Sequence, residues 1–112
     1  MRILIIDDDS SVRKSLGLLY RDSGHDVVDV GDGRAGLAAL AGGAFEVVIC
    51  DYDLGVNDER NGVEICEALR GPFGENTRFI LCSGLSRETP SWLSFASKGD
   101  FRGLIELVGA DI

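Results

Sequence analysis

Acidic and hydroxyl side chains stand at the ends of apolar runs in this sequence. Asp7, Asp8 and Asp9 follow RILII, Asp51 closes FEVVICD, Ser83 closes RFILCS, and Lys98 follows a weaker run, Ser94–Ser97. If these runs lie side by side as strands, the carboxylates, one hydroxyl and one ammonium converge at one end of a sheet. Like charges ~4 Å apart repel by roughly 4 kcal/mol at an effective dielectric of 20. The single ammonium of Lys98 does not offset that many carboxylates. A hard divalent cation would, because every ligand is oxygen; Mg²⁺ suits one or two carboxylates together with water and a phosphate oxygen. No glycine-rich phosphate loop follows the first run, which argues against a flavin or dinucleotide site.

The elements that must position these residues are legible in the apolar pattern. Arg2–Asp7, Phe45–Asp51 and Arg78–Ser83 are rich in branched residues without alternation, as suits strands buried on both faces. Asp26–Val30 mixes valine with aspartate and suits an edge strand. Helical spacing falls between the runs. Val12, Leu16, Leu19 and Tyr20 precede Gly24; Leu37, Leu40 and Ala41 follow the N-cap candidate Asp32; Val63, Cys66 and Leu69 precede Gly71-Pro72. Leu104, Leu107 and Val108 mark a last helix, with Asp100 as its cap, and Asp9 is placed to cap the first. Alternation of this kind predicts an α/β fold: a doubly wound, five-stranded parallel sheet of flavodoxin-like order 2-1-3-4-5 with helices on both faces. In such sheets the functional crevice lies beyond the carboxyl ends of the strands.

The chain has 112 residues, 45% of them apolar and 27% charged, which predicts one globular domain over 1–112. Its net charge of -8 repels phosphate backbones and anionic membranes, so neither nucleic acid nor a membrane is an expected direct partner. Ile3–Ile6 is too short for a signal-peptide core or a membrane span. The three cysteines cannot all pair within the chain and read as reduced thiols of a cytoplasmic protein. His25 reads as a surface loop residue, and Cys50 and Cys82 as structural thiols.

The segments IIDDDSSVRKSL, VVICDYDL and FILCSG, followed by Lys98, resemble a response-regulator receiver domain of two-component signalling, and the likeness spans nearly the whole chain. The resemblance implies that Asp7 and Asp8 hold Mg²⁺, for which Mn²⁺ could substitute, and that Asp51 accepts a phosphoryl group. It also implies that the backbone carbonyl of Asp53 ligates the metal. Ser83 and Lys98 then contact the phosphoryl group, and Phe95 is the switch aromatic. The donor would be a sensor histidine kinase or a histidine phosphotransfer protein, and the phosphorylated surface would be read by a downstream protein that the sequence does not name. Such a domain catalyses its own phosphorylation and dephosphorylation and is not a turnover enzyme.

The sequence departs from the family pattern in places. Gly55 stands where a proline is usual, the span from Asp51 to Gly62 is longer than usual, and Gly99 follows Lys98 in place of proline. Eleven residues separate Ser83 from Phe95, so the fourth helix is expected to be short or missing. A two-fold dimer through that helix is therefore not expected, and the isolated chain should be a monomer, with Leu85–Ser94 and its Trp92 as the changed surface. Two rival functions are a phosphate-independent pseudo-receiver and a haloacid-dehalogenase-like phosphatase, whose first motif VVICDYDLG resembles. The second lacks a later acidic pair, because only fourteen residues follow Lys98.

Overall fold

The computed structural model describes residues 1–54, 60–73, 76–84, 88–97 and 103. Along the chain run β1 (Arg2–Ile6), α1 (Ser10–Asp22), β2 (Asp26–Val30), α2 (Gly33–Ala41), β3 (Val47–Asp51), α3 (Gly62–Phe73), β4 (Arg78–Ser83) and β5 (Leu93–Ser97). The strands form one parallel five-stranded sheet in the order β2-β1-β3-β4-β5, as the alternation of elements predicts. Every residue of β3 is buried, whereas Asp26 and Val28 of β2 are exposed at the edge. This is the contrast between unbroken and mixed apolar runs expected of central and edge strands. Lys98 and the expected last helix with its cap Asp100 lie outside the described residues.

Two apolar layers sandwich the sheet. Leu4, Ile6, Val48, Cys50, Phe79 and Leu81 pack with Leu40 of α2 and Ile65, Cys66 and Leu69 of α3. On the other face Ile3, Ile5, Val47, Ile49 and Ile80 pack with Leu16 and Tyr20 of α1. Each fully buried branched side chain contributes roughly 1.5–3 kcal/mol, so these strands dominate the apolar driving force.

The helices confirm the expected starts and shift the expected faces. Asp9 caps α1 through Ser11 and Val12, and Asp32 caps α2 through Ala35. The buried stripe of α1 is Leu16, Gly17 and Tyr20, while Leu19, expected on it, is exposed. In α2 the buried residues are Gly33, Gly36 and Leu40, while Leu37 is 45% exposed and Ala41 is exposed too. The reason is steric: a methyl on Gly36 would come within 2.6 Å of Ile6 Cδ1, so the bare backbone is what lies on β1. Helix α3 opens on a reciprocal cap, with Glu64 N donating to Asn61 Oδ1 at 3.0 Å and Asn61 N to Glu64 Oε1 at 3.1 Å. It continues through Pro72 to Phe73, beyond the expected stop. Pro72 lacks the N–H that would bond the carbonyl four residues back, and the helix ends one residue later.

Residues 84–92 alone separate β4 from β5, and the described ones among them, 84 and 88–92, contain a turn and no helix. That agrees with a short or missing fourth helix. Strand β5 begins one residue earlier than expected. Trp92 stands before it with its ring edge-on to Phe79, the centroids 6.0 Å apart, and the Arg70 guanidinium 4.4 Å above the ring. It packs against the α2/α3 layer as a loop anchor.

Candidate functional site

The strand register brings the expected residues to one end of the sheet. Ile6 pairs with both Val30 and Cys50, Asp51 pairs with Cys82, and Ser83 pairs with Ser97. Asp7 therefore follows β1 immediately beside the end of β3, and Ser83 closes the next strand. Carboxylate oxygens of Asp7, Asp8 and Asp51 all lie within 4.8 Å of one another. Asp7 and Ser83 are each 4% exposed and Asp51 is 3% exposed, while Asp8 faces solvent.

Backbone contacts hold the turns that carry Asp7 and Asp51. Asp7 N donates to Val30 O at 3.1 Å, and Asp9 N donates to Asp7 Oδ1 at 2.9 Å, which turns the chain into the α1 cap. Tyr52 N donates to Cys82 O at 2.8 Å and Gly62 N to Tyr52 O at 2.7 Å, so the start of α3 closes on the residue after Asp51. A methyl on Gly62 would overlap the main-chain oxygen of Asp51 and come within 2.8 Å of Tyr52 Cα and Leu81 Cδ1. No residue but glycine fits there without moving backbone. Leu54, 1% exposed, anchors the chain just beyond, and Asp53 between them is exposed.

Behind the acids, the Cys50 thiol donates to Asp51 O at 3.3 Å. Its hydrogen bond with Cys66, together with burial and the nearby Asp51 and Cys82, holds it well above the ordinary thiol range. Cys50, Cys66 and Cys82 are all free and buried, in keeping with a structural role. His25 is half-buried, its ring Nδ1 3.1 Å from the Met1 amine, away from the acids. Phe95 is half-buried against the α2/α3 layer.

The donor set fits a hard divalent cation: three carboxylates, two buried and one facing solvent, with no nitrogen or sulfur among them. At 4.8 Å each pair of charges repels by roughly 3–4 kcal/mol at an effective dielectric of 20, a cost that such an ion removes.

Two site-supporting features escaped the sequence. Arg13 donates to the Asp7 main-chain oxygen at 2.7 Å. Its signal was its place at i−3, i−4 and i−7 from Leu16, Gly17 and Tyr20, on the buried stripe of α1. The Asn61–Glu64 cap that sets the start of α3 was readable as N-x-x-E.

Among the described residues no helix is long and apolar enough to cross a membrane. The family model described as the response regulator receiver domain matches residues 3–98. The "DNA-binding response regulator MtrA" of Mycobacterium tuberculosis (strain ATCC 25618 / H37Rv) is 34% identical over 73 residues, 65% of this chain and 31% of that protein. The matched region thus spans about a third of the length of that curated relative. The receiver domain of the hybrid histidine kinase CckA superposes with a TM-score of 0.83 at 25% identity, covering 98% of this chain and 97% of the other. A CheY-like receiver domain protein from Methanospirillum hungatei JF-1 superposes with a TM-score of 0.86 at 22% identity, covering 98% and 91%. With the sheet order and the match over residues 3–98, this chain belongs to the response regulator receiver domain family, whose domains are signalling modules and not turnover enzymes such as the phosphatases that VVICDYDLG resembles.

Proposed function

We propose that this chain is a phosphoacceptor switch, with Asp51 as the acceptor. The observation that carries the reading is the meeting of the Asp7, Asp8 and Asp51 carboxylates within 4.8 Å, beside buried Ser83. Asp7, Asp8, Asp51 and the main-chain carbonyl of Asp53 would hold Mg²⁺, or Mn²⁺ in its place. When bound, the ion would screen the negative charge between the acceptor and the phosphoryl oxygens.

The donor is a phosphohistidine on a sensor histidine kinase or a histidine phosphotransfer protein. A carboxylate oxygen of Asp51 attacks phosphorus, the P–N bond breaks, and its electron pair returns to the imidazole, which takes up a proton. The Ser83 hydroxyl donates to a phosphoryl oxygen, and the Lys98 ammonium supplies positive charge as the transfer proceeds. Ser83 moves toward the new phosphoryl group, Phe95 turns inward, and the surface around β4 and β5 changes for a downstream protein to read. Residues 1–112 act as one cytoplasmic receiver unit, monomeric in isolation, with no direct contact to nucleic acid or membrane. The short connection between β4 and β5 supports the monomer, since it leaves little helix to build a dimer face.

Intact-mass measurement after mixing the chain with acetyl phosphate and Mg²⁺ tests this reading. One added phosphoryl group is expected, and none in Asp51→Asn. Phosphorylation of the Asp51→Asn chain at Asp7 or Asp8 would sink the assignment. Metal binding with no acyl phosphate would identify a phosphate-independent binding module instead.

A further inference from the structure

The turn that carries Asp7 and Asp8 is held from outside the acid cluster. Arg13 donates through Nη1 to the main-chain oxygen of Asp7 at 2.7 Å and through Nε to Asp29 Oδ2 at 3.1 Å. Its side chain is 18% exposed. Asp29, on β2, is gripped a second time by Arg21 Nη2 at 3.6 Å. The guanidinium passes close over Gly31, where a methyl would stand 3.3 Å from Nη1. Arg13 is thus fixed between a backbone oxygen on one side and an anchored carboxylate on the other.

The Asp7 carbonyl and the Asp8 amide share one peptide plane. Fixing that oxygen fixes the direction in which the chain leaves Asp7, and with it where the exposed Asp8 carboxylate can reach. Resting on the reading of Asp7, Asp8 and Asp51 as a metal-holding set, we infer that Arg13 is a positioning residue for it, acting through the Asp7–Asp8 peptide and braced by Asp29. Its bond goes to the main chain, so it sets the turn without competing with a metal for a carboxylate oxygen. The planar fork of arginine spans both anchor points, whereas the compact ammonium of lysine serves as a single point charge. Groups that orient a metal's ligands in this way typically change affinity more than fold.

The test is calorimetric Mg²⁺ titration of the full chain and of Arg13→Gln, Arg13→Lys and Asp29→Asn, each with its melting temperature. Arg13→Gln should weaken Mg²⁺ binding about tenfold or more. Arg13→Lys should recover part of that loss, and Asp29→Asn should show a smaller loss of the same kind. The Mg²⁺ concentration for half-maximal phosphoryl uptake should rise by the same factor, and the deficit should close as Mg²⁺ is raised. A lowered melting temperature with unchanged Mg²⁺ affinity in Arg13→Gln would make Arg13 merely structural and overturn the inference. If Arg13→Gln does not fold, Arg13→Lys decides: weaker binding supports the role, and unchanged binding overturns it. Absence of Mg²⁺ binding in the unaltered chain overturns the acid-site reading and the role of Arg13 with it. Binding by the unaltered chain and equally by every variant overturns the role of Arg13 alone.

Discussion

The two halves of the sheet are built to different tolerances. At the ends of β1 and β3 the main chain itself is held: Gly62 N donates to Tyr52 O, the Arg13 guanidinium donates to Asp7 O, and no side chain fits at Gly62. Between β4 and β5 a short connection returns to the opposite end of the sheet, where Trp92, just before β5, lies between Phe79 and Arg70. Backbone contacts cannot rearrange without unfolding something, whereas an aromatic anchor can be lifted or swapped. In the proposed switch, the acid half would hold the reacting group still and the β4–β5 half would change shape.

Substitution at Gly62 should produce the largest effect. Gly62→Ala forces main-chain atoms of Asp51 and Tyr52 apart and should cost roughly 3 kcal/mol, with loss of phosphoryl uptake even in chains that remain folded. Gly36→Ala is its control. The atom it meets is the flexible end of Ile6, and the gain in helix propensity offsets the crowding, so a change within about 1 kcal/mol is expected by urea denaturation. Equal losses at the two glycines would remove the special status of the acid half.

Trp92→Ala should come next, at roughly 2 kcal/mol, less than a fully buried tryptophan because the ring is half-buried. It should leave phosphoryl uptake from acetyl phosphate intact. If mass measurement shows uptake abolished in a chain that still melts cooperatively, the two halves are not separable in this way.

The smallest effect concerns Tyr20, on the face behind β1 and β3. Its hydroxyl is buried with no hydrogen-bond partner among the described residues. Burial first, and the nearby Cys82 second, push the phenol well above its ordinary value of 10.0. The unfolded chain loses that proton near 10.0 while the folded chain keeps it, so stability present below that pH declines as pH rises past it. Tyr20→Phe should flatten the decline and, at neutral pH, stabilise the chain by up to about 1 kcal/mol. Parallel stability curves for both proteins above pH 10.0 would argue that the hydroxyl is satisfied after all.

Legibility in the sequence followed the kind of contact involved. The central strands were readable because burial on both faces leaves an unbroken apolar run, and the sheet order followed from one polar strand. Asp7, Asp8, Asp51 and Ser83 were readable because each closes such a run. The inward face of α2 was legible only at Leu40, because the rest of it is Gly33 and Gly36, which carry no hydrophobic signal. Arg13 was hidden for a related reason: a charged residue on a surface helix reads as solvated, even where it continues the stripe of Leu16 and Tyr20.

The short link between β4 and β5 bears on how the chain collapses. Phe79 pairs with Leu93, 14 residues on, whereas Ile3 pairs with Val47, 44 residues on. Closing the shorter loop costs about 1 kcal/mol less entropy. Parallel strands usually need a crossover of a dozen or more residues, and residues 84–92 come in below that. The pair that the acid site depends on least is the most local pairing in the sheet, and β1–β3, which carries the acids, is the least local of the four. The acid-bearing end of the molecule thus assembles at the greatest entropic expense, and any chain that has brought Asp7 beside Asp51 has already closed the longest of these loops.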